Sequence, residues 1–202
     1  MSATPIWDCK DARILEWCET RKLDPKKMPA GIMDPDYDCE KLTQVQTSRG
    51  NVCPWWPSQW KKEFNILIPL VDFQGNLVSV VGRSTWSRRR KSTVPISFST
   101  KNLYFANKHA RRFLDREETP ENIWFTEGEI DYLTIAQLGQ PVIGIRAGSM
   151  DMISSMKWQA HQTVFVATDN DDAGHKYAMQ IAERVYPACP RRIRFDVLRG
   201  EM

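Results

Sequence analysis

Two acidic stretches decide the fold of this 202-residue chain: Phe125-Thr126-Glu127-Gly128-Glu129-Ile130-Asp131 and Asp169-Asn170-Asp171-Asp172-Ala173-Gly174. Each follows a short apolar run and precedes a helix-like stretch, so each is predicted to join a strand to a helix. In an open α/β sheet, that edge is where ligands bind. Carboxylates gathered at one point repel each other unless a cation neutralises them, and oxygen ligands suit Mg²⁺. The two stretches together therefore predict a magnesium site.

Short apolar runs alternate with helix-like stretches throughout the sequence from about residue 122 onward. The predicted strands are 123–125, 142–145, 164–167 and 193–198, and the predicted helices are 129–138, 153–158 and 173–185. Strands that alternate with helices at this spacing favour a largely parallel sheet with helices on both faces. The fold class expected for this part of the chain is α/β.

The upstream part of the sequence has a different texture. It predicts a helix over 11–23, irregular chain over 28–57, a β-hairpin of 66–71 with 77–81, and a basic loop over 84–101 with a short strand at 96–99. This pattern favours a smaller, mixed α+β subdomain. We expect the boundary within 116–120, which gives an N-terminal domain of 1–118 and a C-terminal domain of 119–202.

Composition narrows the class of protein. The formal charge of +3 from 28 basic and 25 acidic residues does not by itself indicate a nucleic-acid partner. The sequence shows no apolar run long enough to cross a bilayer and no secretory signal, so we expect a cytoplasmic chain without membrane contact. Five irregularly spaced cysteines without a Cys-x-x-Cys pair argue for reduced thiols and against a zinc site.

The two acidic stretches resemble a known motif pair. Glu-Gly-x-x-Asp at 127–131, followed about forty residues later by Asp-x-Asp-x-Ala-Gly at 169–174, is similar to the toprim domain of DnaG-type primases, topoisomerases and some nucleases. Further segments resemble the primase catalytic core: Ala12-Arg13-Ile14-Leu15 with Arg21-Lys22-Leu23, the segment 68–78 with Gly82-Arg83, Leu103-Tyr104-Phe105-Ala106-Asn107, and Gly148-Ser149. The resemblance implies a Rossmann-like toprim domain preceded by a smaller subdomain.

The resemblance also implies a reaction, the template-directed synthesis of short RNA primers on single-stranded DNA from ribonucleoside triphosphates. Asp169 and Asp171 would hold Mg²⁺, with Mn²⁺ as the alternative ion, and Glu127 would be a metal ligand or general base supported by Asp131. From the residues alone, both stretches also fit ordinary acidic helix starts, with Asp172 as the N-cap of the second helix.

Basic and aromatic residues supply candidate binding groups. The basic candidates for template phosphates or the triphosphate are Arg83, Arg88, Arg89, Arg90, Lys91 and Arg111. Arg83 matches the arginine of the family's Gly-Gly-Arg segment, and a solvated loop and helix surface is the alternative for the whole set. Trp55, Trp56 and Trp60 are interpreted as packing between the two subdomains, with stacking on bases as the alternative.

Two departures from the family and two alternative functions remain open. The family's zinc-binding module and C-terminal helical subdomain have no counterpart here, so we expect a fragment or a reduced relative. It would act as a monomer, and any contact with a replicative helicase would use other regions. A toprim nuclease would use the same acids to hydrolyse phosphodiesters. An inactive nucleic-acid-binding relative is expected to lose those acids, whereas Glu127, Asp169 and Asp171 are present.

Overall fold

A computed structural model of the chain describes residues 3–34, 36–87, 89–146, 150–185 and 188–194. The chain divides into two compact units. The first unit comprises Met1–Pro69 and Ser79–Thr100, and the second comprises Leu70–Val78 and Lys101–Met202. Among the described residues, no helix is both long enough and apolar enough to cross a membrane.

The first unit is a mixed α+β structure, as the sequence predicts. Its elements are β1 (Ala3–Pro5), α1 (Ala12–Thr20), β2 (Gly31–Met33), β3 (Gln44–Gln46), β4 (Val52–Pro54), α2 (Trp60–Glu63), β5 (Ile66–Val71), β6 (Leu77–Arg83) and β7 (Ser92–Thr93). The ends of β5 and β6 next to their connecting turn belong to the second unit. β1 and β2 pair antiparallel, as do β2 and β5, while β6 pairs with both β5 and β7. β3 and β4 form a separate two-stranded sheet.

Helix α1 illustrates how local sequence sets an element of this unit. The side chain of Asp11 accepts a hydrogen bond from the backbone N–H of Arg13 and so caps the helix. Ile14, Trp17 and Cys18 lie at helical spacing and are buried. The helix ends at Thr20, three residues earlier than predicted.

One predicted strand of the first unit is wrong. The residues 96–99 form a turn and irregular chain, and the strand of this loop is β7, which pairs antiparallel with the end of β6. The predicted hairpin is confirmed, because β5 and β6 pair across a five-residue connection.

The three tryptophans lie in and around the core of the first unit. Trp56 is fully buried, beside the equally buried Phe64, while Trp55 and Trp60 are half-buried at its edge. The rings of Trp56 and Trp60 meet edge-on with their centroids 5.4 Å apart. Trp56 therefore packs within this unit and has no exposed face on which a base could stack.

The second unit contains the alternating strands and helices. Its further elements are β8 (Tyr104–Ala106), α3 (Lys108–Leu114), β9 (Asn122–Glu127), α4 (Glu129–Ala136), β10 (Val142–Ile145), a 3₁₀ helix (Asp151–Ser155), β11 (Thr163–Thr168), α5 (Asp172–Arg184) and β12 (Cys189–Arg194). The strand order is β8-β10-β9-β11-β12, in which β8 is antiparallel to β10 and the other neighbours are parallel. The prediction of a largely parallel sheet is confirmed.

Helices cover both faces of this sheet. Ile143 and Ile145 of β10 share a buried cluster with Phe113 of α3 and Ile181 of α5. Gly144, between these two residues, faces the opposite side of the sheet, since successive residues alternate along a strand. On that face Tyr132 of α4 stacks on Phe105 of β8, with ring centroids 5.3 Å apart.

Two elements of the second unit differ from their predicted bounds. The residues 151–155 form a 3₁₀ helix in place of the helix predicted at 153–158. β12 begins at Cys189, four residues before the predicted strand, and the predicted strand's last residues, 195–198, lie outside the described residues.

Candidate active site

The turn between β9 and α4 presents Glu127 at the carboxyl edge of the sheet. Glu127 is the last residue of β9 and lies level with Ile145 at the end of β10. Gly128 follows with φ 85° and ψ 172°, a conformation that is accessible almost only to glycine. Its N–H donates to the carbonyl of Ile145 at 3.4 Å. The glycine lets the chain turn directly from the strand into α4.

The turn between β11 and α5 is closed by two hydrogen bonds at Gly174, and there is no room for a side chain at this position. The N–H of Gly174 donates to Asp171 Oδ1 at 2.8 Å, and the buried hydroxyl of Thr168 donates to the carbonyl of Gly174, also at 2.8 Å. A Cβ placed on Gly174 would overlap the carbonyl oxygen of Asp169 and lie 2.8 Å from its carbon. Asp171, and not Asp172 as the sequence alternative had it, is the N-cap of α5.

The two turns bring three carboxylates into electrostatic contact. Burial raises the pKa of Glu127, and the negative charges of Asp169 and then Asp171 raise it further. A hydrogen bond from the backbone of Asp169 acts in the opposite direction. The parallel pairing of β9 with β11, in which Thr126 lies level with Ala167, explains why these strand ends meet.

Glu127 has the features of a cation ligand. Its Oε2 atom is buried and accepts no hydrogen bond, which costs free energy that a bound cation would offset. Within the described part of the chain, no group of three or more acidic, histidine or cysteine side chains is gathered to hold a metal ion. Mg²⁺ is usually held by one or two carboxylates together with water and substrate phosphates, so a site with fewer than three gathered protein ligands is compatible with this ion. One oxygen of Asp171 is already used in the helix cap.

The fourth acidic candidate, Asp131, follows Glu127 by four residues. It is half-buried in the first turn of α4, where the helix dipole favours a negative charge. Its charge is not among those that raise the pKa of Glu127.

The basic candidates of the first unit fall into three environments. Arg83, at the end of β6, is 9% exposed. Arg90 lies over the ring of Trp60 at 4.7 Å and donates to the hydroxyl of Thr93 at 2.7 Å, so its guanidinium also supports the fold. Arg89 and Lys91 are exposed in the loop between β6 and β7. Arg88 lies outside the described residues, as does the Gly148-Ser149 pair.

The basic candidate of the second unit, Arg111, has a structural contact. Its Nε donates to the carbonyl of Gly75 at 2.8 Å and so holds the turn between β5 and β6 against α3. A phosphate-binding role for Arg111 would have to use its remaining donors.

Sequence reasoning missed two residues at the acidic edge. Thr168 closes the β11–α5 turn, and only its position at the end of the apolar run 164–167 could have indicated it. Arg146 directly follows β10, with its guanidinium 5.9 Å from the ring centroid of Phe105. A cation after the run 142–145 was a visible signal, because carboxyl ends of neighbouring parallel strands share one edge.

Comparison with known proteins finds a family model that is similar to the part of the chain with the two acidic turns. A family model described as toprim-like matches residues 124–197, which include both strand-to-helix turns. The comparison with curated proteins gave no match. Residues 124–197 are thus similar to a toprim-like domain.

Solved structures extend the likeness to nearly the whole chain. A DNA primase domain from Pseudomonas aeruginosa matches with a TM-score of 0.62 and 18% identity, over 95% of this chain and 67% of its own. A DnaG primase catalytic domain bound to single-stranded DNA matches with a TM-score of 0.61 and 14% identity, over 94% and 68%. The Aquifex aeolicus primase, with its zinc-binding and RNA polymerase domains, matches with a TM-score of 0.59 and 17% identity, over 92% and 50%.

These likenesses establish the fold. The chain has the same fold as these primase catalytic cores, with the toprim-like match over residues 124–197, and it spans half the length of the A. aeolicus structure. The expected fold class is confirmed.

Proposed function

We propose that this chain is the catalytic core of a DNA primase, which synthesises short RNA primers on single-stranded DNA from ribonucleoside triphosphates. The observation that carries the proposal is the meeting of Glu127, Asp169 and Asp171 at the carboxyl edge of a primase-like fold. We assign 119–202 as the toprim domain and 1–118 as the subdomain that precedes it.

The acidic edge suits nucleotidyl transfer. Phosphoryl transfer depends mainly on positioning and charge stabilisation, and it needs no protein nucleophile. Bound Mg²⁺ would lower the charge on the triphosphate and position the attacking 3′-hydroxyl and the leaving pyrophosphate. We assign Glu127, Asp169 and Asp171 as catalytic residues and metal ligands, with Asp131 as a supporting ligand and Mn²⁺ as the alternative ion. The raised pKa of Glu127 also makes it a better proton acceptor during the attack.

The basic loop supplies the nucleic-acid contacts in this proposal. One of the matching structures is bound to single-stranded DNA, which supports a strand of this kind as the template here. We assign template and triphosphate phosphates to Arg83, Arg88, Arg89, Arg90, Lys91 and Arg111. The exposed Arg89 and Lys91 have the solvent access that such contacts require. A monomer that contacts a replicative helicase through other regions stays a prediction.

Primer synthesis by variants of the acidic edge tests the proposal. The chain is incubated with single-stranded DNA, labelled ribonucleotides and Mg²⁺ or Mn²⁺. We expect Glu127→Gln and Asp169→Asn each to lower the yield of short RNA by at least about 100-fold, because charge stabilisation at the reacting phosphate is lost. The matched controls are Glu129→Gln and Asp172→Asn, which remove neighbouring charges without an assigned role.

The outcomes separate the site from the function. Equal yields from the wild type and both site variants would reject the assigned residues. No RNA from the wild type with either ion would reject primase activity of the chain, and Mg²⁺-dependent loss of the DNA strand in the same reactions would indicate the nuclease alternative.

A further inference from the structure

A cavity of about 340 Å³ opens on the second unit and shares no residue with the proposed acidic or basic site. It is lined by the turn between β5 and β6, the end of α3 and the segment that follows the 3₁₀ helix. Its volume falls within the range of about 300–1,000 Å³ that small-molecule sites occupy. The cavity is therefore large enough for a compact ligand.

The charge of the lining favours an anion. Arg116 and Lys157 both line the cavity, and neither forms an ion pair with a carboxylate of the described residues. The nearby Arg112 differs, since its guanidinium pairs with Glu117 and Glu118. Asp115 is the acidic residue of the lining, so the cavity keeps a net positive charge. An arginine and a lysine without carboxylate partners are suitable phosphate ligands.

The remaining lining favours a planar, hydrogen-bonding group. Phe73 lies in the turn between β5 and β6 and is 52% exposed, so much of its ring remains in solvent. Gln74 and Asn76 lie in the same turn, where the Asn76 amide group donates to Asp72 Oδ2 at 3.1 Å and to Gln74 Oε1 at 3.4 Å. The Gln74 amide group can still donate a hydrogen bond, and Asn76 Oδ1 can still accept one. A nucleobase can stack on an aromatic ring and bond to amides at its edge.

We propose that this cavity binds one nucleotide, with its phosphates on Arg116 and Lys157 and its base against Phe73. The nucleotide is either a free nucleoside triphosphate or one unit of a nucleic-acid strand, since both carry the same chemistry. This would be a second nucleotide site, in addition to the one that the proposed function requires.

Binding of two probes to the full chain tests this site. Fluorescently labelled ATP and a labelled oligothymidylate are titrated by anisotropy without divalent ions, because the acidic edge repels phosphates when no cation is bound. We expect the double variant Arg116→Gln, Lys157→Gln to weaken binding at least about tenfold, because two charge-assisted contacts are lost. Phe73→Leu should weaken it several-fold through the lost stacking.

Arg112→Gln is the matched control, because it removes an arginine of the same helix whose charge is already paired. It should leave the affinity within about twofold. Circular dichroism and thermal unfolding check that each variant folds. If the double variant does not fold, Phe73→Leu alone tests the site.

Each outcome decides the proposal. Loss of ATP binding in the variants identifies a free nucleotide as the ligand, and loss of oligonucleotide binding alone identifies a strand. Unchanged affinity in the double variant and in Phe73→Leu would overturn the proposal, as would no binding of either probe. Because no primer synthesis is measured, a failure here is distinguishable from a failure of the primase assignment.

Discussion

The two strand-to-helix turns of the second unit place carboxylates at one edge by different constructions. The β9–α4 turn is a single residue, Gly128, whose positive φ demands glycine although nothing lies within 4 Å of a Cβ built there. In the β11–α5 turn, Gly174 lies inside the helix, and glycine is demanded by the adjacent carbonyl of Asp169. One glycine is required by backbone conformation and the other by space.

The difference extends to the carboxylates. Glu127 keeps one buried oxygen without a hydrogen bond, so the hydrogen bond from the Asp169 backbone compensates the carboxylate of the β9–α4 turn only in part. In the β11–α5 turn, Asp171 caps the helix and Thr168 donates a hydrogen bond across the turn, so two hydrogen bonds brace the loop that carries Asp169. The β9–α4 turn thus supplies a poorly solvated carboxylate. The β11–α5 turn supplies carboxylates on a loop that is braced by hydrogen bonds.

The largest expected effect is a difference in stability between alanine substitutions of the two glycines, Gly174 and Gly128. Gly174→Ala should destabilise the chain by about 3 kcal/mol or more, because its Cβ overlaps backbone and the turn must move. Gly128→Ala should cost roughly 1–3 kcal/mol from backbone strain alone. Urea unfolding measures both. Gly139→Ala is the control, since Gly139 also has a positive φ in open space but lies outside the site.

The activity of these variants sharpens the same comparison. Gly139→Ala should lose stability without losing primer synthesis, whereas Gly174→Ala should lose both because Asp169 shifts. A larger loss of stability for Gly128→Ala than for Gly174→Ala would contradict the distinction between conformation and space.

A smaller effect should separate the charge of Asp171 from its cap. Asp171→Ala removes the hydrogen bond to Gly174 and should cost about 1 kcal/mol, whereas Asp171→Asn keeps a good N-cap and should cost much less. Both variants lose the negative charge, so both should lose primer synthesis. Thermal unfolding and the primer assay are measured side by side. Equal destabilisation by Ala and Asn would show that the cap does not hold the turn.

The sequence predicted the second unit well because its signals are local. β10 occupies its predicted bounds, since a short apolar run is bounded by polar or turn residues on both sides. α5 differs from its predicted span by one residue at each end. That Glu127 and Asp169 should lie close together followed from the rule that parallel strands end at one edge.

Other features depend on contacts that no local pattern contains. Ile96 and Phe98 alternate like a strand, yet the pairing with β6 is made by Ser92 and Thr93, because strand pairing is decided across the sheet. Arg90 belongs to a visible basic run, but its contact with Trp60 arises from tertiary packing. Whether Asp171 or Asp172 caps α5 likewise depends on where the turn closes.

The smallest expected effect tests the partly compensated charge of Glu127 itself. The pKa of Glu127 is raised in the folded chain, mainly by burial, so folding favours its protonated form. Its contribution to stability is therefore complete below the ordinary pKa of glutamate and is lost as the pH rises through the raised pKa. Glu127→Gln imitates the protonated form. Without divalent ions it should unfold a few degrees higher than the wild type at neutral pH and at the same temperature in acid.

Added Mg²⁺ provides the internal control for this difference. An ion that binds the folded wild type stabilises it by mass action, whereas Glu127→Gln has lost a ligand and should gain less. The gap between the two melting curves should therefore narrow or reverse as Mg²⁺ is titrated at neutral pH. A wild type that is the more stable of the two at neutral pH without ions would show that Glu127 is compensated within the fold, and the contrast between the two turns would fail.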